Sequence, residues 1–201
     1  DSLKSLSCVF FGSFFVRPII SLKNFSKPFF VVQLLSFKYL LNSLIRSVSF
    51  FCFNSSNILC VATKGLFENT VYEGIPQLLQ ALKEKGFELI VATSKPEQYS
   101  VQILDHFDLS KYFDFICGSN MDESRSKKEE VIEYALGLAK NKSKETILMI
   151  GDREYDIIGA QKNNIKSCGV LFGYGSKEEH QNAGADYICE TVKDLQDLLL
   201  G

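Results

Sequence analysis

The sequence predicts an α/β fold built on a doubly wound parallel sheet, and three observations carry that reading. From residue 68 onward, short apolar runs alternate with amphipathic helical patterns for more than a hundred residues. Such alternation means parallel strands joined by helical crossovers, with helices on both faces. At 201 residues and 46% hydrophobic, the chain can also build one core of ordinary size.

The elements follow in order. "VYEGIPQLLQALKEKG" (71–86) sets Ile75, Leu78, Leu79 and Leu82 at helical spacing and ends on Gly86, a C-terminal stop. "FELIVAT" (87–93) is a strand. "SKPEQYSVQILDHF" (94–107) places Ser94 three residues before Glu97, a capping-box pattern, with proline in the first turn. "FDFICG" (113–118) is a strand and "SKKEEVIEYALGLAK" (126–140) a helix. "ETILMIG" (145–151) is a buried strand, "REYDIIGAQKNN" (153–164) a helix and "KSCGVLFG" (166–173) a further strand. Ser176 with Glu179 caps the short helix "KEEHQNAG"; "ADYIC" (185–189) is the last strand, and Thr191 caps the closing helix "TVKDLQDLLL".

The first third differs in composition. Residues 1–67 hold seven bases and one acid, Asp1, and twelve of the seventeen phenylalanines. A composition boundary therefore falls near Lys64, separating an apolar, basic segment (1–63) from the regular part (64–201). "CVFFGSFFV" (8–16) has the length of a secretory apolar core, but Arg17-Pro18 follows where a small-residue cleavage site belongs. The stretch 29–53 carries Lys38, Asn42 and Arg46 four apart, on one face of a helix, which fits an amphipathic helix covering a neighbour or lying on a membrane better than a spanning one. A net charge of -2 argues against a general nucleic-acid surface, and six scattered cysteines without a C-x-x-C pair read as buried thiols in a reducing cytoplasm.

In a doubly wound sheet the working residues lie just beyond the carboxyl ends of the strands. Asp152 follows "ILMIG" directly, and Asp156 lies on the same helix face four residues on. Such a pair suits a hard cation; it equally suits a helix cap and a first-turn acid. Gly151 before it allows close approach of a ligand to the backbone. Thr93 ends its strand before a helix and can hold a phosphate oxygen there or simply cap. Lys127 and Lys128 open a helix against its dipole, which favours a ligand-directed lysine over chance, although a solvated one is the usual case. "GYGS" (173–176) is no dinucleotide fingerprint, since Glu178 stands where a third glycine is needed, but its N–H groups can line a rim. His106 and His180, on polar helix positions without partners in sequence, are expected at the surface.

Taken together, a strand-end threonine, a lysine opening a later helix, and Gly-Asp-x-x-x-Asp after a further strand resemble the haloacid dehalogenase-like phosphatases, and in particular the phosphoglycolate phosphatase-like branch. "FELIVATSKPEQYS", "KKEEVIEYAL" and "MIGDREYDIIGA" look like its successive motifs, and the likeness covers about residues 64–201. The resemblance implies a Rossmann-like core and an Mg2+-dependent phosphomonoester hydrolase. It assigns Thr93 and Lys128 to the phosphoryl group, with Ser94 beside them for substrate, and Asp152 and Asp156 to the metal. The implied substrate is a small phosphorylated metabolite, 2-phosphoglycolate first and a nucleoside monophosphate second. It also implies an aspartate nucleophile and a second aspartate two residues later, from a D-x-D-G-T stretch on the first strand.

That stretch is missing: residues 2–67 contain no Asp or Glu. If Gly12-Ser13 stood for the Gly-Thr, Val9 and Phe11 would hold the two acid positions. Asp1-Ser2 resembles the tail of the motif's continuation. The segment 1–63 does not resemble the mixed-charge helical cap of the family either. A shifted reading frame joining the true one near Lys64 accounts for both absences, with an unusual N-terminal module as the rival. Translating the coding DNA in all three frames is expected to uncover D-x-D-G-T upstream of Lys64; a gene with no such stretch in any frame removes the frameshift reading.

Overall fold

Two strands of the regular part, read outward from residue 87, find their central partner far back in the chain. In the computed structural model, which describes residues 7–12, 16–18, 67, 69–122, 124–140 and 143–201, the segment Cys8–Phe11 (β1) pairs in parallel with both Glu88–Pro96 (β4) and Ile147–Gly151 (β6). Phe115–Ser119 (β5) extends the sheet on one side; Lys166–Val170 (β7) and Tyr187–Cys189 (β8) extend it on the other. The order is β5-β4-β1-β6-β7-β8, and every pairing is parallel. Val16–Pro18 (β2) and Asn69–Val71 (β3) form a separate two-stranded sheet.

The chain divides into two compact units, Asp1–Arg17 with Asn69–Gly201, and Pro18–Glu68. The first strand of the apolar segment 1–63 is thus the middle of the core sheet. The amphipathic helix expected over 29–53 lies outside the described residues. Among the described residues no helix is long and apolar enough to cross a membrane.

Side chains alternate across β1 and so build two cores. Val9 and Phe11 join Leu89, Val91, Leu148 and Ile150 under the helices Ile75–Glu84 (α1) and Val192–Leu200 (α6). Cys8 and Phe10 face the other way, with Ile90, Met149, Val131, Ile132 and Ala160, under Lys128–Leu138 (α3) and Glu154–Lys162 (α4). Glu97–His106 (α2) adds Leu104 to the first core. A sheet covered on both faces needs apolar residues at every strand position, which is why "CVFF" and "ILMIG" show no polar alternation. Lys177–Asn182 (α5) is the short helix between β7 and β8.

The helix ends follow the expected signals with one exception. Gly86 takes φ 83° after α1, the left-handed conformation that ends a helix at little steric cost. Ser176 Oγ accepts from Glu179 N, and Thr191 Oγ1 from Asp194 N, each at 3.1 Å. The Ser94 capping box does not form. β4 continues through Pro96, because Pro96 holds Lys95 in extended backbone, and α2 starts only at Glu97. The Glu97 carboxylate instead accepts from Gly118 N at 3.2 Å and Arg125 Nη2 at 3.0 Å, and Ser94 Oγ is buried without a partner. The four described cysteines are free and buried, as expected.

Phe10 is fully buried between the central strands and α3. Phe10→Ala is expected to lower the unfolding free energy by about 3–5 kcal/mol, read from urea denaturation; a loss under ~1 kcal/mol would mean β1 is not the sheet's centre.

Candidate active site

The carboxyl ends of β4, β1 and β6 meet at one edge of the sheet, and the residues there come from four crossovers. Lys128 opens α3 with its side chain turned inward, 8% exposed, whereas Lys127 points to solvent. Its ammonium donates to Ala92 O at 2.9 Å and lies 2.7 Å from Asp156 Oδ1. That second contact is an ion pair off the hydrogen-bonding direction. Asp156 Oδ2 accepts from Arg153 N at 3.3 Å, so one carboxylate both ties down the start of α4 and neutralises the buried lysine.

Thr93 is buried at the same edge, one residue past the carbonyl that Lys128 grips. Its Oγ1 accepts from Lys95 N at 3.2 Å, so its own hydrogen is free to donate elsewhere. Asp152 follows β6 and is 5% exposed. Tyr174 N donates to its Oδ2 at 3.0 Å, the rim contact expected of "GYGS"; among the described residues no other hydrogen-bond donor reaches this carboxylate. Burial, and next the charge of Asp156, raise the Asp152 pKa above the ordinary aspartate value; Tyr174 N–H, Lys95 and Lys128 pull the other way.

Thr93, Lys128, Asp152 and Asp156 are therefore brought together, with Ser94 at the edge of the group. Among the described residues no three metal-ligating side chains converge. Mg2+ does not require them, since it commonly takes one or two carboxylates, waters and a substrate phosphate. Asp152 Oδ1 fits that demand; Asp156, engaged on both oxygens, stands behind it. Gly151 serves a purpose other than the one expected: a Cβ there would collide with the Asp156 side chain, so the space admits Asp156 rather than a ligand.

A family model described as haloacid dehalogenase-like hydrolase matches residues 61–170, more than half of the chain. The chain belongs to the haloacid dehalogenase-like hydrolase family. The match begins beside the composition boundary near Lys64. A 5'-nucleotidase of Pseudomonas aeruginosa is 40% identical over 135 residues, 67% of this chain and 61% of that protein. The tyrosine-protein kinase PtkA of Mycobacterium tuberculosis (strain H37Rv) is 37% identical over 140 residues, 69% of this chain and 48% of the kinase. The chain thus spans between about half and three-fifths of these relatives. The crystal structure of a predicted phosphatase from Clostridium acetobutylicum superposes with a TM-score of 0.74 at 36% identity, covering 97% of this chain and 98% of that one.

Three positions on this haloacid dehalogenase-like frame differ from the sequence reading. Val9 and Phe11 are fully buried in the core, because both lie within the strand and face the cluster under α1 and α6. The first-strand residue that reaches the edge is Gly12, whose N donates to Ile150 O at 2.6 Å; a Cβ on it would lie 3.2 Å from Asp156 Oδ1. His180 is fully buried, not at the surface. A six-residue helix gives too little periodicity to reveal its inward face. Nor do Cys8 and Cys117 supply a nucleophile: desolvation pushes Cys117 up to about 12 and Cys8 higher still.

A raised carboxylate pKa means the folded chain holds the Asp152 proton more tightly than the unfolded chain. The associated stability is complete below the unfolded aspartate value and lost as pH rises through the folded one. Asp152→Asn, neutral throughout, is expected to raise Tm of the metal-free chain at pH 7 by roughly 1–3 °C. The gain should shrink towards pH 4 in a calorimetric series; a lower Tm at neutral pH would contradict the burial argument.

Proposed function

We propose that this chain carries the phosphate- and magnesium-handling part of a phosphomonoester hydrolase site without its attacking carboxylate. The observation behind the proposal is Gly12. It stands at the sheet edge between the strands of Thr93 and Asp152, beside the Lys128–Asp156 pair, where a first-strand nucleophile would have to be.

The remaining groups suit the electrostatic share of phosphoryl transfer. Thr93 has a hydroxyl hydrogen to give to a phosphoryl oxygen. Lys128 spends its ammonium on Ala92 O and Asp156 and retains a third N–H. Asp152 would hold Mg2+, with Asp156 behind it; the ion, when bound, neutralises phosphate charge. The ligand is a small phosphorylated metabolite, 2-phosphoglycolate or a nucleoside monophosphate; the P. aeruginosa 5'-nucleotidase gives the second some support. The buried free thiols favour a cytoplasmic setting.

Without a carboxylate at position 12, no aspartyl-phosphate forms, and the chain binds without turnover. The parent reaction is hydrolysis; the function of this polypeptide is Mg2+-dependent phosphate binding.

Incubation with Mg2+ and p-nitrophenyl phosphate, 2-phosphoglycolate or AMP is expected to release no phosphate above buffer. Isothermal titration should show Mg2+-dependent binding of inorganic phosphate that Asp152→Ala removes. Turnover abolished by Asp152→Ala would show that another acid supplies the nucleophile, and absence of phosphate binding would overturn the reading altogether.

A further inference from the structure

α5 reaches the surroundings of Asp152 from two directions. Glu179 Oε1 accepts from Arg153 Nε and Glu154 N, both at 2.8 Å, which fixes the two residues after Asp152. The next residue, His180, turns the other way. Its ring is fully buried, with Nε2 3.3 Å from Val170 O. A carbonyl only accepts, so Nε2 carries the hydrogen and Nδ1 a bare lone pair, which finds no partner.

The ring occupies a slot shaped by two glycines. A Cβ on Gly169 of β7 would lie 2.5–2.9 Å from its Cγ, Cδ2 and Nδ1; a Cβ on Gly175 would lie 3.0 Å from its Cε1 and Nε2 and would collide with Asp152 O. Gly175 is thus held between the imidazole and the Asp152 backbone. Its neighbour Tyr174 makes the hydrogen bond to Asp152 Oδ2. The ring therefore lies beside the loop that aims the carboxylate, with no room for a side chain between them, and a single hydrogen bond ties it to β7.

We propose that His180 is a positioning residue for the Asp152 carboxylate: it wedges the 173–175 loop so that Tyr174 N–H holds Oδ2 and Oδ1 is presented to a divalent cation. This rests on the reading of Asp152 as the metal-binding carboxylate. A buried polar side chain with one nitrogen unsatisfied carries a cost that apolar packing would avoid. Its position behind a carboxylate with an open oxygen gives that cost a purpose.

Mn2+ serves as the probe, its free concentration read by electron paramagnetic resonance on the full chain. Asp152→Ala establishes the site: if it binds Mn2+ as the wild type does, the metal reading itself fails, and the His180 proposal with it. Given that loss, His180→Ala is expected to weaken Mn2+ binding about tenfold, the usual effect of removing a group that orients a ligand. His180→Gln, whose amide can still donate to Val170 O, should stay within about threefold. Amide exchange at Tyr174 in the metal-free protein should quicken in His180→Ala and not in His180→Gln. Wild-type affinity in His180→Ala overturns the proposal. So does equal impairment of both variants with unchanged Tyr174 exchange. Should His180→Ala fail to fold, His180→Gln decides alone: loss of Mn2+ binding at unchanged Tm, with slow Tyr174 exchange, refutes the wedge.

Discussion

The buried ammonium of Lys128 is the point on which the sheet edge depends. It must leave water, and a charge does so only against compensating groups. Two are provided: the carbonyl of Ala92 from β4 and the carboxylate of Asp156 from α4. One cation thereby joins a strand and two helices at the sheet edge; at their far side the same two helices are tied by Lys162–Glu129 and by Asn163 Nδ2 donating to Glu129 O. Removing either partner would strand the other in a dry environment, a loss of about 3–5 kcal/mol. Asp156 also caps α4, and Gly151 lacks a side chain because Asp156 fills that volume. Geometry, charge balance and local sequence are thus solved by the same pair.

The charge around Asp152 follows from this arrangement. Lys128 is paired with Asp156, so Asp152 meets burial and the Asp156 charge with one backbone N–H and more distant lysines. The result is a carboxylate with an open oxygen and an unfavourable ionised form, conditions in which a divalent cation is welcome. Thr93, engaged as an acceptor, keeps its hydroxyl hydrogen for donation. These properties arise in the core of a haloacid dehalogenase-like hydrolase whose first strand is followed by a glycine.

Much of this was legible in the residues, and the failures have physical causes. Long periodic segments and side-chain caps gave the strand–helix order, and Ser176 and Thr191 cap as their neighbours in sequence require. Lys128 could be chosen over Lys127 because the following "EEVI" sets the register of the resemblance, and its side chain is the buried one of the two. The Ser94–Glu97 spacing misled, since a proline inside the box keeps the backbone extended. His180 was hidden because its slot is made by glycines of other elements, which leave no periodic mark in the chain. Val9 and Phe11 lie three residues and one residue short of the informative position: β1 has a clear apolar run, but only its pairing with β4 and β6 shows that Gly12 reaches the edge.

β8, three residues long, terminates the sheet at one side. An unpaired strand border is a template for another chain, and its adhesive power grows with the number of free amide and carbonyl groups in line. Tyr187–Cys189 offers very few, and acidic residues bracket it: Asp186, held by Ser167, and Glu190, paired with Lys177. A foreign strand docking there would gain a short ladder while bringing its backbone carbonyls up to two carboxylates. The brevity of this last strand therefore makes this border of the sheet a poor template for another chain, independently of the edge that carries Lys128 and Asp152.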